Sequence, residues 1–359
     1  MDNEKKTNGT MLRSTLIALC IVLGLIFAVM LGCTVYAEYL LSKVNYVDPN
    51  ATVPTLSQEE IDALYRETET MDPDFTGPEL KEEDVELETA AQVEVDKENV
   101  VNILLIGADY QSGDIARSDS MILCTFNKHT NTINLTSIMR DMYVKIPGYK
   151  SNRINVAYTF GGMQLLNRTI SQNFGVEADG AVEIDFSNFE KLIDLLGGIE
   201  LELNSKEANF INFKAGSQLK TGVQTLNGKE ALWYSRFRKD ASGDFGRTNR
   251  QRIVLTILLN RYKDLSLTEL IGMMDDILPM VTTNMTKDEI LNHVTNLFPM
   301  LAGAEIVTQR IPVEGAYYQA KINDMAVLVP NISKNARILQ DVMYEPPAET
   351  EDPFTGGVG

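Results

Sequence analysis

Twenty-four consecutive residues, Ser14 to Ala37, carry no charge and are dominated by Leu, Ile, Val and Ala. As a helix rising about 1.5 Å per residue, the run is roughly 36 Å long, enough to cross an apolar layer of about 30 Å with some tilt. Lys5, Lys6 and Arg13 precede it and acids follow it. That asymmetry places residues 1–13 in the cytoplasm and everything after residue 37 outside the cell. The apolar part of a cleaved leader would be shorter. Leu31, Gly32 and Cys33 have the outline of a lipoprotein cleavage site, but Met30 fits one poorly. The expectation is an uncleaved signal anchor, so the fold belongs to the residues that follow.

Charge divides those residues again. The chain has 359 residues and a formal charge of −18, yet from Val44 to Glu98 there are 17 acidic and 3 basic residues. From Asp341 to the end there are 5 acids and no base. Between Asn99 and Gln340 the signs balance at 25 each. Acidity therefore describes the tethers and says little about what the folded part binds. Residues 38–98, interrupted by Pro49, Pro54, Pro73 and Pro78, read as a self-repelling spacer with one short helix near Ser57 to Tyr65. Residues 341–359 read as a disordered tail. The block from 99 to 340 is long enough for one large hydrophobic core.

Within that block, apolar runs alternate with segments of helical period. Strands are predicted at Val100–Gly107, Ser120–Phe126, Thr132–Ile138, Gly180–Ile184, Ile199–Leu203, Glu305–Ile311 and Met325–Val329. Helices are predicted at Gly162–Phe174, Phe186–Leu196, Asn249–Leu265, Leu267–Met280 and Lys287–Leu301. This alternation predicts a single α/β domain, an α/β/α sandwich around a mixed central sheet. Cys20 and Cys33 lie in the anchor run, so Cys124 is alone in the exported domain. No disulfide is expected within it, and Cys124 reads as a small core hydrophobe.

The segment Tyr234–Arg252 holds five arginines and a lysine. Guanidinium groups stay charged and match phosphate oxygens two at a time. Arg236 and Arg238 stand two apart, which aligns them on an extended segment or short turn; Arg247 and Gln251 stand four apart, which aligns them on a helix. A surface helix selected for solubility would interleave acids and bases instead. The segment is read as an anion site.

Polar residues also gather where strands end: Asp109 after the first, Arg117 and Asp119 before the second, Arg140 and Asp141 after the third. In open α/β sheets such ends are where ligands bind. Two carboxylates among several arginines suit a Mg²⁺–pyrophosphate site, because Mg²⁺ takes one or two carboxylates and leaves other positions to water and phosphate. Each acid has a plainer role open to it. Asp109 could cap a turn, and Asp119 could pair with Arg117 or Arg140. Asp141 suits a structural pairing, and Asp244 could cap a helix or orient an arginine. His129 and His293 have no partner suggesting a histidine base. There is no zinc spacing, no P-loop and no G-x-G-x-x-G stretch, so nucleotide and nucleic-acid binding are not expected.

Six blocks occur in order: NILLIGAD from Asn102 to Asp109, RSDS from Arg117 to Ser120, SIMRD from Ser137 to Asp141, RINVAYTFGG from Arg153 to Gly162, LNGKEALWYSRFR from Leu226 to Arg238, and GDFGRTNRQ from Gly243 to Gln251. Together they resemble the LytR-CpsA-Psr family over about 150 residues, with Arg153 standing where lysine is frequent. The resemblance implies a membrane-anchored phosphotransferase that moves a teichoic-acid-like or capsular glycopolymer from a polyprenyl-pyrophosphate carrier onto peptidoglycan. By matching motif, Asp109 and Asp119 would hold Mg²⁺. Arg117, Arg140, Arg236, Arg238, Arg247 and Gln251 would bind the pyrophosphate, and the lipid would enter an apolar tunnel. Arg140 would serve catalysis, with Asp244 or Asp109 as any general base. The competing expectations are a polyprenyl-pyrophosphate hydrolase and a non-catalytic receptor for lipid-linked precursors. Arg310 is left unassigned.

Overall fold

A computed structural model describes residues 35–48, 77–110, 117–240 and 242–344. The central sheet orders its strands β1-β11-β8-β3-β4-β5-β12. In sequence these are β1 (Asn45–Tyr46), β3 (Val100–Asp109), β4 (Arg117–Asn127), β5 (Thr132–Ile138), β8 (Gly180–Asp185), β11 (Thr282–Thr283) and β12 (Glu305–Ile311). β3 runs antiparallel to β4 and parallel to β8; β12 runs parallel to β5. The sheet is mixed, and most strands of its centre are buried on both faces.

One face is covered by α2 (Asn155–Phe174) and α9 (Ile332–Tyr344). Leu104, Ile106, Leu123, Phe174 and Leu339 form that core. The other face meets α6 (Gly243–Asp264) and α8 (Lys287–Leu301), where Ile103, Cys124, Leu135, Leu297 and Met300 are buried. Cys124 is a core hydrophobe as expected, and burial pushes its thiol up to about 12. A third cluster is built by α3 (Phe186–Leu195), the hairpin of β9 (Ile199–Leu203) and β10 (Gly222–Leu226), α4 (Ser205–Ala215) and α5 (Gly228–Ser235), against one side of α6 and Met273 of α7 (Leu267–Ile277). α5 and α4 each begin with a capping box, Asn227 with Glu230 and Asn204 with Glu207. A small sheet of β14 (Met325–Pro330), β13 (Tyr317–Ile322) and β2 (Glu79–Leu80) completes the described fold together with the two-residue strands β6 (Tyr143–Val144) and β7 (Asn152–Arg153).

Four expectations need correction. The helix expected from Gly162 starts at Asn155 and bends at Gly161 and Gly162, whose backbone leaves the helical region. The helix expected from Asn249 starts at Gly243, so Asp244 and Arg247 lie in its opening turns. The described parts of the expected spacer, 38–48 and 77–98, pack on the domain. β1 joins the central sheet and β2 pairs with β13. The Ala90 and Val93 amides donate to the carbonyls of Asn173 and Gly175 at 2.9 and 3.2 Å. Apolar side chains at every second position, Val85, Leu87, Val93 and Val95, bury against the domain, a two-residue period masked by the acids between them. Residues 341–344, expected in the tail, continue α9. The cytoplasmic segment, residues 14–34 of the anchor, residues 49–76 of the spacer with the short helix expected near Ser57 to Tyr65, and the remainder of the tail lie outside the described residues. Among the described residues no helix is long and apolar enough to cross a membrane; only the helical end 35–41, here α1, belongs to the uncharged run or borders it.

Candidate active site

Where β3 and β4 pair, the register slips. Gly107 faces Ser120 but Ala108 faces Ser118, so Asp119 is an extra residue on β4. Such a bulge re-aims side chains, and here both Asp119 and Ser120 line one cavity. The strands are close here: a β-carbon at Gly107 would stand 3.1 Å from that of Ser120 and press on it.

Asp119 accepts from Arg140 Nη1 at 2.7 Å. Arg140 follows β5 and is 4 % exposed. Its Nε also lies 3.6 Å from Asp141 and 3.7 Å from Asp244. Burial alone would raise the proton affinity of Asp119, but Arg140, Arg247 and Arg238 override it and hold the carboxyl below its ordinary value.

The arginine segment divides as its spacing predicts. After α5 ends, Phe237 turns inward and is buried, while Arg236 and Arg238 on either side of it reach the cavity. Arg236 is the C-cap of α5; its guanidinium lies over Phe186 and Trp233 at 4.5 and 5.1 Å and within 3.6 Å of Asp109. Arg238 Nε is 3.3 Å from Asp244. On α6, Arg247 and Gln251 face the same cavity one turn apart. Arg247 donates to Asp244 at 2.8 Å, and burial lowers its affinity for its proton to about 10, so it remains charged at neutral pH.

Asp244 thus touches Arg140, Arg238 and Arg247. Its proton affinity is raised above the ordinary carboxylate: burial does most, Asp141 adds, and the arginines oppose. Asp141 also meets Arg153 at 3.5 Å, the structural pairing expected of it. Arg117 has its backbone opposite Asp109 in β4; its side chain lies outside the described residues. Asp109 and Arg236 form one pair, Asp119, Arg140, Asp244, Arg238 and Arg247 form a second connected group, and Asp119, Arg236, Arg238, Arg247 and Gln251 line the same cavity.

Beyond these polar groups the cavity is apolar. It holds about 250 Å³ and is lined by Leu105 and Ile122 of the sheet, Val182 and Ile184 of β8, Phe186, Phe189 and Leu192 of α3, and Val254, Leu255 and Leu258 of α6. Its lining extends to Val281, next to β11. The sequence could not separate these residues from ordinary core. The available signal was their place: apolar positions on the sheet face that carries the arginines.

For a metal, the described residues offer no group of three acidic, histidine or cysteine ligands. Asp109 and Asp119 alone match the one or two carboxylates with which Mg²⁺ is held when water and phosphate complete its shell. The donor chemistry fits.

The chain is similar to several known proteins. Regulatory protein MsrR of Staphylococcus aureus is 32% identical over 256 residues, 70% of this chain and 76% of that protein. The polyisoprenyl-teichoic acid–peptidoglycan teichoic acid transferase TagU of Bacillus licheniformis is 39% identical over 202 residues, 55% of this chain and 64% of that protein. A solved structure described as TagT bound to LIIa-WTA superposes with a TM-score of 0.57 at 28% identity, covering 70% of this chain and 92% of that one. Residues 69–340 match the LytR_cpsA_psr family throughout, and the chain belongs to that family.

Proposed function

We propose that this protein transfers a teichoic-acid-like or capsular glycopolymer from a polyprenyl-pyrophosphate carrier to peptidoglycan, forming a phosphodiester. The observation that carries the reading is the cavity itself: an apolar channel suited to a prenyl chain, ending at Asp119, Arg236, Arg238, Arg247 and Gln251. Such a junction fits a molecule that is hydrocarbon at one end and diphosphate at the other. The similarity to TagU, and to TagT bound to LIIa-WTA, supports the same class of substrate.

In the reaction, a hydroxyl oxygen of a wall sugar attacks the phosphorus that bears the polymer. The bond from that phosphorus to the bridging oxygen breaks, and polyprenyl phosphate leaves. Asp244, whose affinity for a proton is raised, accepts the hydroxyl proton; Asp109 is the alternative acceptor. Arg140, Arg236, Arg238 and Arg247 stabilise the charge that spreads over the phosphate oxygens. The arginines of the site, with Arg153, are nearly balanced by Asp109, Asp119, Asp141 and Asp244. A diphosphate therefore arrives with more negative charge than the protein neutralises. Mg²⁺ held by Asp109 and Asp119 would supply the missing positive charge. Arg117, at the edge of the site, is a further phosphate contact in this reading. The chain is held in the membrane by residues 14–37, with its amino terminus in the cytoplasm and the domain outside.

Incubating the purified protein with a polyprenyl-pyrophosphate saccharide, Mg²⁺ and a wall oligosaccharide tests this. A conjugate is expected, and its formation should stop on adding EDTA. Free sugar phosphate as the sole product would make the protein a hydrolase. Stoichiometric lipid binding with no product would make it a receptor.

A further inference from the structure

From Ile290 to Ala304, fifteen residues contain no Asp, Glu, Lys or Arg. They form most of α8, yet only Leu297 and Met300 of that helix are buried. Leu291, Val294 and Phe298 are 37, 57 and 39 % exposed, and their spacing of three and four residues puts them on one face. The polar side chains beside them turn back on the helix. Thr295 donates to the Leu291 carbonyl at 2.7 Å, and Asn296 donates to Asn292 at 2.8 Å. An exposed helix that meets water ordinarily carries charge on such a face.

The neighbour of this helix is the end of the uncharged run. Lys287, at the start of α8, pairs with Glu38 at 3.1 Å, one residue after Ala37 closes the run. In α1, Val35, Tyr36 and Tyr39 are 62, 42 and 49 % exposed, and the two tyrosine rings stack at 6.2 Å. Tyrosines are enriched where a chain enters or leaves a bilayer. The apolar cavity reaches the same region, since Val281 lines it and accepts from the Asn45 amide at 3.1 Å.

We propose that the Leu291–Val294–Phe298 face of α8, with Tyr36 and Tyr39, rests on the lipid bilayer that holds residues 14–37. This rests on the anchor reading and is independent of the transferase chemistry. It tilts the domain so that the Val281 end of the cavity stands nearest the membrane, where a prenyl chain would enter.

The protein contains a single tryptophan, Trp233, which gives a fluorescence test on the full chain. F298W and V294W, and as a control F213W on the far more exposed Phe213 of α4 (81 % exposed), are reconstituted into phosphatidylcholine vesicles with and without brominated acyl chains. Bromine is expected to quench F298W and V294W well beyond the unsubstituted chain, and F213W no more than it. Equal quenching of all three, or none at position 298 or 294, overturns the proposal. Emission that shifts with protein concentration but not with brominated lipid would place a second copy on the face and overturn it too. Vesicle flotation at alkaline pH reads the anchor separately. A chain that washes off refutes the anchor and this face together, whereas a retained chain without quenching refutes the face alone.

Discussion

Arg247 and Arg250 stand one turn apart on the same helix, both buried, and they have opposite fates. Arg250 is saturated: Glu207 accepts from its Nε at 2.8 Å, Asp240 from its Nη2, and the Phe237 carbonyl from its Nη1 at 3.4 Å. It also lies over the Phe237 ring at 4.6 Å. Among the described residues Arg247 has Asp244 alone as a hydrogen-bonded partner, and its Nε has none. One guanidinium closes the joint between α4, α5 and α6; the other retains donors toward the cavity. A basic run therefore does not mark an anion site residue by residue. What separates the two is which carboxylates the remainder of the chain delivers to each.

The sharpest way to break this comparison is to remove each in turn. Arg247→Ala or Arg140→Ala is expected to lower turnover by on the order of 10²–10³, as loss of a preorganised charge donor does, measured as polyprenyl phosphate released. Arg250→Ala should instead destabilise the fold by about 3–5 kcal/mol, because Glu207 and Asp240 lose their buried partner. The denaturant midpoint reads that loss. If Arg250→Ala impaired turnover without moving the midpoint, the distinction would be void.

The apolar end of the cavity gives a smaller effect. Val254→Trp is expected to raise KM for a long prenyl substrate on the order of tenfold, about 1.4 kcal/mol, while a short-chain analogue is spared. Equal effects on both would place the chain elsewhere.

The smallest effect is on pH. Asp119 is held below its ordinary value by the arginines around it. Its pairing therefore adds stability that is fully present above the unfolded carboxylate value of about 3.9 and is lost as pH falls through the lower, folded one. Urea unfolding at stepped acidic pH should show this limb flattened in Asp119→Asn. An unchanged limb would show that Asp119 is not the group held by Arg140.

The alternation of strand and helix was legible because the sheet is buried on both faces, giving long apolar runs such as Val100 to Gly107. The arginine geometry was legible because two-apart and four-apart spacings survive whatever the tertiary structure does. The bulge at Asp119 was not, since it is a property of the pairing between two strands. Residues 205–235 were left without elements, although Asn204 with Glu207 and Asn227 with Glu230 are local start signals that would have found both helices. The core side of α4 is sparse, with Glu207, Ala208 and Ile211 its buried residues, so its periodicity was weak; α5, with Gly228, Glu230, Ala231, Leu232, Tyr234 and Ser235 buried, is too short for its period to stand out. The packed acidic segment was hidden by its own charge. The fate of Arg250 depended on Glu207, 43 positions away.

A single carboxylate, Asp244, binds three guanidinium groups into one body. Substitutions among Arg140, Arg238 and Arg247 should consequently not combine as independent losses: once one is gone, the acid swings toward the others and alters the charge each presents. The clamp would drift through sequence space as a block, its members replaceable only in concert.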